Sequence, residues 1–294
     1  MNINFINMPI NLGCNRCGVE QGGKCIREYN LNNIFSKNHI LDTGDIPCIS
    51  YTESYYANDK MRNLENILKS DSLLADKVTE TLSNGNFPLI FGGDHSLTWG
   101  SLSGVSQYYG TDIGCIYLDA HGDFNSADTS PSGNVHGMHM YYLMGYGDKA
   151  LVDFHKPGGK IKHENVFFLG TRSLDYGEQN LAQKEKFNII SSSTIRTFGV
   201  KKVFQQLVKL LEAFKFIHFS LDIDCIDPTI APGTGVPEPN GLTFEDAIYL
   251  VENILATGKV VSMDLVEFNP LLDSNDKTLQ ICIDLLKCID NNLK

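Results

Sequence analysis

The sequence predicts an α/β fold: a mainly parallel sheet covered by helices on both faces. Three observations carry the prediction. Short apolar runs alternate with longer helical patterns along the whole chain. No internal repeat, low-complexity tract or Pro/Ser-rich linker interrupts the alternation, so residues 1–294 read as one domain. The composition, 42% hydrophobic and 20% charged, supplies apolar material for a large core.

Taken in order, the run at 3–8 opens the chain as a strand, and a helical pattern follows over 55–82. A strand at 87–91 leads into a helix at 97–109, and the strand at 113–118 gives way to a long polar loop. Strands at 166–170 and 216–221 flank a helix at 204–214. A helix at 244–256, a strand at 260–265 and a helix at 277–292 complete the series. In such a sheet ligands bind beyond the carboxyl ends of the strands, so the residues that follow each strand matter most.

Four strands end in polar residues able to ligate a metal. Gly92-Gly93-Asp94-His95-Ser96 follows the run at 87–91, and Asp119-Ala120-His121-Gly122-Asp123 follows that at 113–118. Asp222-Ile223-Asp224-Cys225-Ile226-Asp227-Pro228 follows the run at 216–221, and Asp264-Leu265-Val266-Glu267 the last one. Side chains two apart on an extended chain share a face, which groups Asp119, His121 and Asp123, and likewise Asp222 with Asp224. With His95 they make four carboxylates and two imidazoles aimed at one place. Without cations such a crowd is strongly unfavourable. Two divalent metals resolve the repulsion, with Asp119 and Asp222 as natural bridging ligands. Oxygen-rich, thiolate-free donors favour Mn²⁺ over zinc. A lone D-x-H or D-x-D reads more readily as a solvated turn with an N-cap aspartate; three such elements, each closing an apolar strand, do not.

The loop from Asn125 to Gly137 is too polar for core and too rich in turn formers for helix. Beside metal ligands it suits a substrate-binding role. Its amides and hydroxyls suit a carboxylate, and His136 titrates near neutrality, as a proton shuttle must. Asp175 and Glu178 read two ways, as acidic residues at the positive end of a helix or as partners of a substrate ammonium. His39, His139, His155, His163 and His218 sit in no comparable cluster.

A net charge of −11 argues against nucleic acid and suits metal ions or a small cation. No apolar run approaches the roughly 18–20 residues that span a bilayer. The N-terminus has neither the basic region nor the cleavage site of a secretory signal, so a cytoplasmic location is expected. Eight cysteines include one C-x-x-C pair, Cys14 and Cys17. They read as free thiols in a reducing compartment, with a redox or metal role for that pair as the alternative.

Together these residues resemble the ureohydrolase family of arginases and agmatinases. The motifs G-G-D-H-S, D-A-H-G-D and S-L-D-I-D-x-x-D-P carry the resemblance, which runs from Met8-Pro-Ile-Asn-Leu-Gly13 to Glu267-Phe-Asn-Pro270. It implies a three-layer α/β/α sandwich, a small cationic guanidino substrate and two Mn²⁺ per subunit. One ion would be held by His95, Asp119, Asp123 and Asp222, the other by Asp119, His121, Asp222 and Asp224. Ser132-Gly-Asn-Val-His136-Gly resembles the arginase form of the loop, which implies hydrolysis of L-arginine to ornithine and urea. Asn125, Ser130, Ser132 and Asn134 would then contact the substrate carboxylate, Asp175 and Glu178 its α-amino group, and Glu267 its guanidinium. Asp123 would relay a proton to the departing amine, and His136 would exchange protons with solvent.

The sequence also departs from that pattern. Val236 stands where the family usually has threonine, and Glu238-Pro239 reads more like an agmatinase, so release of urea and putrescine from agmatine is the competing expectation. A homo-trimer or homo-hexamer is implied, yet Thr243-Phe-Glu245-Asp246 lacks the arginine that arginases commonly carry near a subunit contact. A metallophosphoesterase would need later G-D-x-x-D and G-N-H-E/D elements, which are absent. A non-catalytic member of the family would show lost ligands, whereas all six are present.

Overall fold

The computed structural model describes residues 1–49 and 60–293. Its strands are β1 (Asn2–Met8), β2 (His39–Asp45), β3 (Phe87–Gly92), β4 (Gly114–Leu118), β5 (Val166–Gly170), β6 (Asn188–Ser191), β7 (Ile217–Asp222) and β8 (Val260–Val266). All pair in parallel within one sheet of order β2-β1-β3-β8-β7-β4-β5-β6. The helices are α1 (Gly22–Glu28), α2 (Leu31–Ile34), α3 (Leu64–Ser83), α4 (Thr98–Tyr109), α5 (His139–Leu143), α6 (Lys149–Val152), α7 (Tyr176–Glu185), α8 (Ser192–Phe198), α9 (Val200–Leu211), α10 (Phe244–Ala256) and α11 (Lys277–Asn292).

Parallel neighbours need crossovers, and the helices that make them bury both faces of the sheet. Leu74 of α3, Leu102 of α4 and Leu143 of α5 share one core with Ile6, Ile90, Cys115 and Phe168. Ile26 of α1, Leu207 of α9, Leu250 of α10 and Leu286 of α11 share the other with Phe5, Leu89, Ile116 and Phe219. Each such side chain stabilises the fold by about 1.5–3 kcal/mol relative to exposure. The arrangement is the three-layer α/β/α sandwich. Among the described residues no helix is long and apolar enough to cross a membrane.

Each of the six predicted strands is present within one or two residues of its expected ends. The two edge strands, β2 and β6, were not predicted. Edges lack the two-sided apolar run of a central strand: β2 reads His-Ile-Leu-Asp-Thr-Gly-Asp and is largely exposed. Its Asp42 and Asp45 pair with Arg27 of α1, and such charge blunts an open edge. The predicted helix at 55–82 is observed as α3, and residues 55–59 lie outside the described ones. The helix predicted at 204–214 starts earlier, at Val200, and ends at Leu211. Helices α1, α2 and α5 to α8 are short or polar; α7 buries Glu178 and no apolar stripe, so periodicity does not reveal it.

The topology concentrates the motifs. β3, β8, β7 and β4 are consecutive neighbours in the middle of the sheet, and their carboxyl ends carry the four polar segments.

Candidate metal centre and substrate cavity

Beyond β3, Gly93 passes so close to Ile10 that a Cβ there would sit 1.7 Å from its carbonyl oxygen. Glycine therefore permits the Asp94 N–H to donate to that oxygen at 2.9 Å. Asp94 in turn caps the short 3-10 turn His95–Leu97 through the Ser96 N–H (3.0 Å), which sets His95. Asp119 leaves β4 directly, and its Oδ1 accepts the His121 N–H at 2.6 Å. Asp123 sits at a left-handed φ of 56°. Asp222 ends β7, and its Oδ1 accepts the Asp224 N–H at 2.8 Å, capping the turn Ile223–Cys225. Alternation along an extended chain, the expected reason for convergence, does not operate here. Residues 119–123 have already left the strand, and Asp224 lies in a 3-10 turn. Carboxylate caps and one left-handed residue gather the groups instead.

The six predicted groups do come together. His95 Nδ1 lies 2.8 Å from Asp119 Oδ2, 3.2 Å from Asp222 Oδ2 and 3.4 Å from Asp123 Oδ2. His121 Nδ1 lies 2.9 Å from Asp224 Oδ2 and 3.5 Å from Asp119 Oδ1. Two sets of ligand atoms each converge closely enough for one ion, His95–Asp119–Asp222 and Asp119–His121–Asp224, with Asp119 common to both.

Their electrostatics fit cations. Asp119 Oδ2 is buried and faces His95 Nδ1 at 2.8 Å, with no other donor for it among the described residues. Burial, then the carboxylates of Asp224 and Asp119, pushes Asp222 well above the usual carboxylate range. Burial and Asp119 raise Asp123 to about 7. Burial opposes charge on His95, but the hydrogen bond and charge of Asp119 outweigh it and lift the imidazole to about 9. Protons alone thus satisfy the cluster poorly, because acids and bases must both depart from their ordinary ranges. Four carboxylates and two imidazoles without thiolate suit hard or borderline divalent ions.

In front of the cage opens a cavity of about 200 Å³. Asn125, Ser130, Ser132, His136, Asp175, Glu178 and Glu267 line it, as expected, alongside His121, Asp123, Asp222 and Asp224. Asn134 is not among the lining residues; it is 7% exposed, and its Oδ1 lies 3.4 Å from Arg62 Nη1. Both readings of Asp175 and Glu178 have structural counterparts. They form the capping box of α7, and both face the cavity. Glu178 accepts the Asp175 N–H (2.9 Å) and the Phe124 N–H (3.0 Å), and burial pushes it up to about 8. Glu267, at a left-handed φ of 64°, accepts the His95 N–H at 2.9 Å and faces His136 Nδ1 at 2.9 Å. His136 outweighs burial and holds the Glu267 carboxyl below its usual range, and Glu267 in turn outweighs burial and raises His136 to about 9, above the near-neutral titration expected from the sequence.

Residues 1–289 match the Arginase family. The chain belongs to that family. The arginase of Bacillus subtilis (strain 168) is 36% identical over 289 residues, 98% of this chain and 97% of that protein. The solved arginase of Bacillus caldovelox, 35% identical, matches with a TM-score of 0.93 over 98% of this chain and 97% of that one. The Entamoeba histolytica arginase in complex with L-ornithine, 29% identical, gives 0.90 over 98% and 97%.

Within this arginase-family chain, several residues differ from their sequence reading. Ser173, Val236 and Glu238 also line the cavity. Ser173 follows β5 as the other segments follow their strands, so the strand-end rule applied to β5 would have found it. Asp264 lies inside β8, fully buried, and hydrogen-bonds with Thr98, Ser101 and His218 rather than joining the cage. His218 is a satisfied core histidine. His139, in contrast, belongs to a cluster after all: it is fully buried, with Nε2 3.1 Å from the Tyr117 hydroxyl. Cys14 and Cys17 are free, and burial pushes the Cys14 thiol up, away from reactivity.

Proposed function

We propose that this chain is an arginase, hydrolysing the guanidino group of L-arginine to ornithine and urea with two Mn²⁺ per subunit. One observation carries the proposal: a cage with four carboxylates for two imidazoles opens onto a cavity whose walls bear four further acids, in a chain of the Arginase family. His95, Asp119, Asp123 and Asp222 would hold one ion, and Asp119, His121, Asp222 and Asp224 the other. Bound there, such ions acidify water enough for it to act as a nucleophile near neutral pH.

The chain's own groups do the rest. Glu267, pinned by the His95 N–H, accepts guanidinium N–H groups and holds the reacting carbon toward the cage. Asp123 passes a proton to the departing amine, and His136 exchanges protons with solvent. Asn125, Ser130 and Ser132 receive the substrate carboxylate, while Asp175 and Glu178 receive its ammonium. Asn134 joins them once its Arg62 contact yields. The L-ornithine complex of the Entamoeba relative supports an amino-acid product. We also expect a cytoplasmic homo-trimer or homo-hexamer that binds neither nucleic acid nor membrane.

Agmatine is the second reading, favoured because Val236 and Glu238 face the cavity. Urea release by the Mn²⁺-loaded protein from L-arginine, agmatine, guanidinobutyrate and formiminoglutamate separates the two. Arginine should exceed agmatine by about 100-fold or more in kcat/KM, since a site built for the carboxylate is left unpaired by agmatine. The reverse order would make the chain an agmatinase. No urea from any substrate, in a protein that purifies without bound metal, would leave a non-catalytic family member.

A further inference from the structure

Behind the cage stand two buried groups that the mechanism does not use. Tyr117 of β4 is fully buried, and its ring stacks on that of His95 with centroids 4.7 Å apart and planes 7° from parallel. Its hydroxyl lies 2.5 Å from Asp123 Oδ2, 3.0 Å from His95 Nδ1 and 3.1 Å from His139 Nε2. His139 opens α5, and its Nδ1 lies 2.8 Å from the His136 carbonyl oxygen.

Counting protons restricts the roles. A carbonyl oxygen only accepts, so the His139 hydrogen is on Nδ1, and the neutral ring presents Nε2 as an acceptor. A His95 whose Nδ1 lone pair serves a metal cannot also accept from the phenol. The single Tyr117 proton therefore goes to Asp123, at the shorter distance, with His139 Nε2 as the alternative acceptor one hydroxyl rotation away.

We propose that Tyr117 is a positioning residue of the metal centre: its hydroxyl donates to Asp123 and fixes that carboxylate beside His95, with His139 Nε2 as the competing acceptor held by the backbone of the cavity loop. The chain of contacts runs from the His136 carbonyl through His139 and Tyr117 to Asp123. Outer groups of this kind orient the ligands of a metal and set its affinity. The proposal rests on the metal reading above.

Calorimetric titration of Mn²⁺ into the metal-stripped protein tests it. Tyr117→Phe keeps the stacked ring and removes the hydroxyl. It should weaken one of the two Mn²⁺ binding steps by about tenfold, leave the other within about twofold and barely change the metal-free melting temperature. His139→Asn retains a donor near the His136 carbonyl but removes the competing acceptor at Nε2, so it should leave the same step no weaker than in the wild type. Because His139 acts through Tyr117, the double variant Tyr117→Phe/His139→Asn should be no worse than Tyr117→Phe alone. Two wild-type binding steps that stay unchanged in Tyr117→Phe overturn this inference and leave the metal reading intact. A wild-type protein that takes up no Mn²⁺ overturns the metal reading itself.

Discussion

On adjacent central strands, β7 and β8 bury a polar cluster that looks at first like a second site. Asp264 Oδ2 accepts from Thr98 (2.9 Å) and Ser101 (2.7 Å) and meets His218 Nε2 at 3.1 Å, while His218 Nδ1 meets Ser262 Oγ at 2.7 Å. The charge and hydrogen bonds of His218 outweigh burial and keep the Asp264 carboxyl low. Ser220, 2.8 Å from His95 Nε2 and 3.4 Å from Asp264 Oδ2, joins this cluster to the cage. Yet the two are built differently. The first matches one carboxylate with one imidazole and several hydroxyls; the second sets four carboxylates against two imidazoles. Burial of polar groups is common to both. The cage gathers four carboxylates at one point beside a cavity, and that excess marks a ligand site.

The contrast can be broken by experiment. Asp222→Asn should cut urea release at least about 10³-fold, roughly 4 kcal/mol of transition-state stabilisation. The same change should raise the metal-free melting temperature, because it removes a carboxyl that folding must protonate or crowd against others; a fall would contradict the account of the cage. Asp264→Asn should do the opposite, destabilising the protein by about 3 kcal/mol in denaturant titrations as His218 loses its partner, while two Mn²⁺ still bind. If both variants lose metal and stability alike, the distinction fails. Mn²⁺ at about 100 times the Kd of each site should stabilise the wild type by about 2.7 kcal/mol per site, and Asp264→Asn equally, but Asp222→Asn far less.

The smallest effect sharpens the satisfied side of the comparison. Asp290 accepts the backbone N–H groups of Ser36, Lys37 and Asn38 at 2.8, 2.9 and 2.9 Å. These outweigh burial and hold its carboxyl below the usual range. A lowered folded value means that the stabilisation is complete above the unfolded value, about 4, and is lost as pH falls through the folded one. Asp290→Asn should cost about 2 kcal/mol at neutral pH and flatten the acid limb of stability, measured with chelator present so that the cage does not contribute.

Much of this was legible in the sequence because the informative strands are central. β3 and β4 are buried on both faces and read as unbroken apolar runs, and β7 is interrupted only by His218 and Ser220, so the polar residues at their ends stand out. β2 and β6 carry no such run. Tyr117 passes in sequence as one more apolar strand residue. His139 reaches it only because the loop folds back, with the Asn125 N–H donating to Gly137 and the Met140 N–H to Asp123. No spacing rule encodes that return. Asn134 was read from the loop motif, which does not show the arginine beside it.

Asp123 and Glu267 both adopt left-handed backbone, at φ 56° and 64°. For a residue with a side chain this geometry costs about 1–2 kcal/mol, and glycine would relieve it. Directed evolution for heat resistance alone would thus be drawn toward glycine at two positions to which the proposed mechanism gives roles in turnover. Durability and catalysis are set against each other there, and a screen for hardier variants should score both.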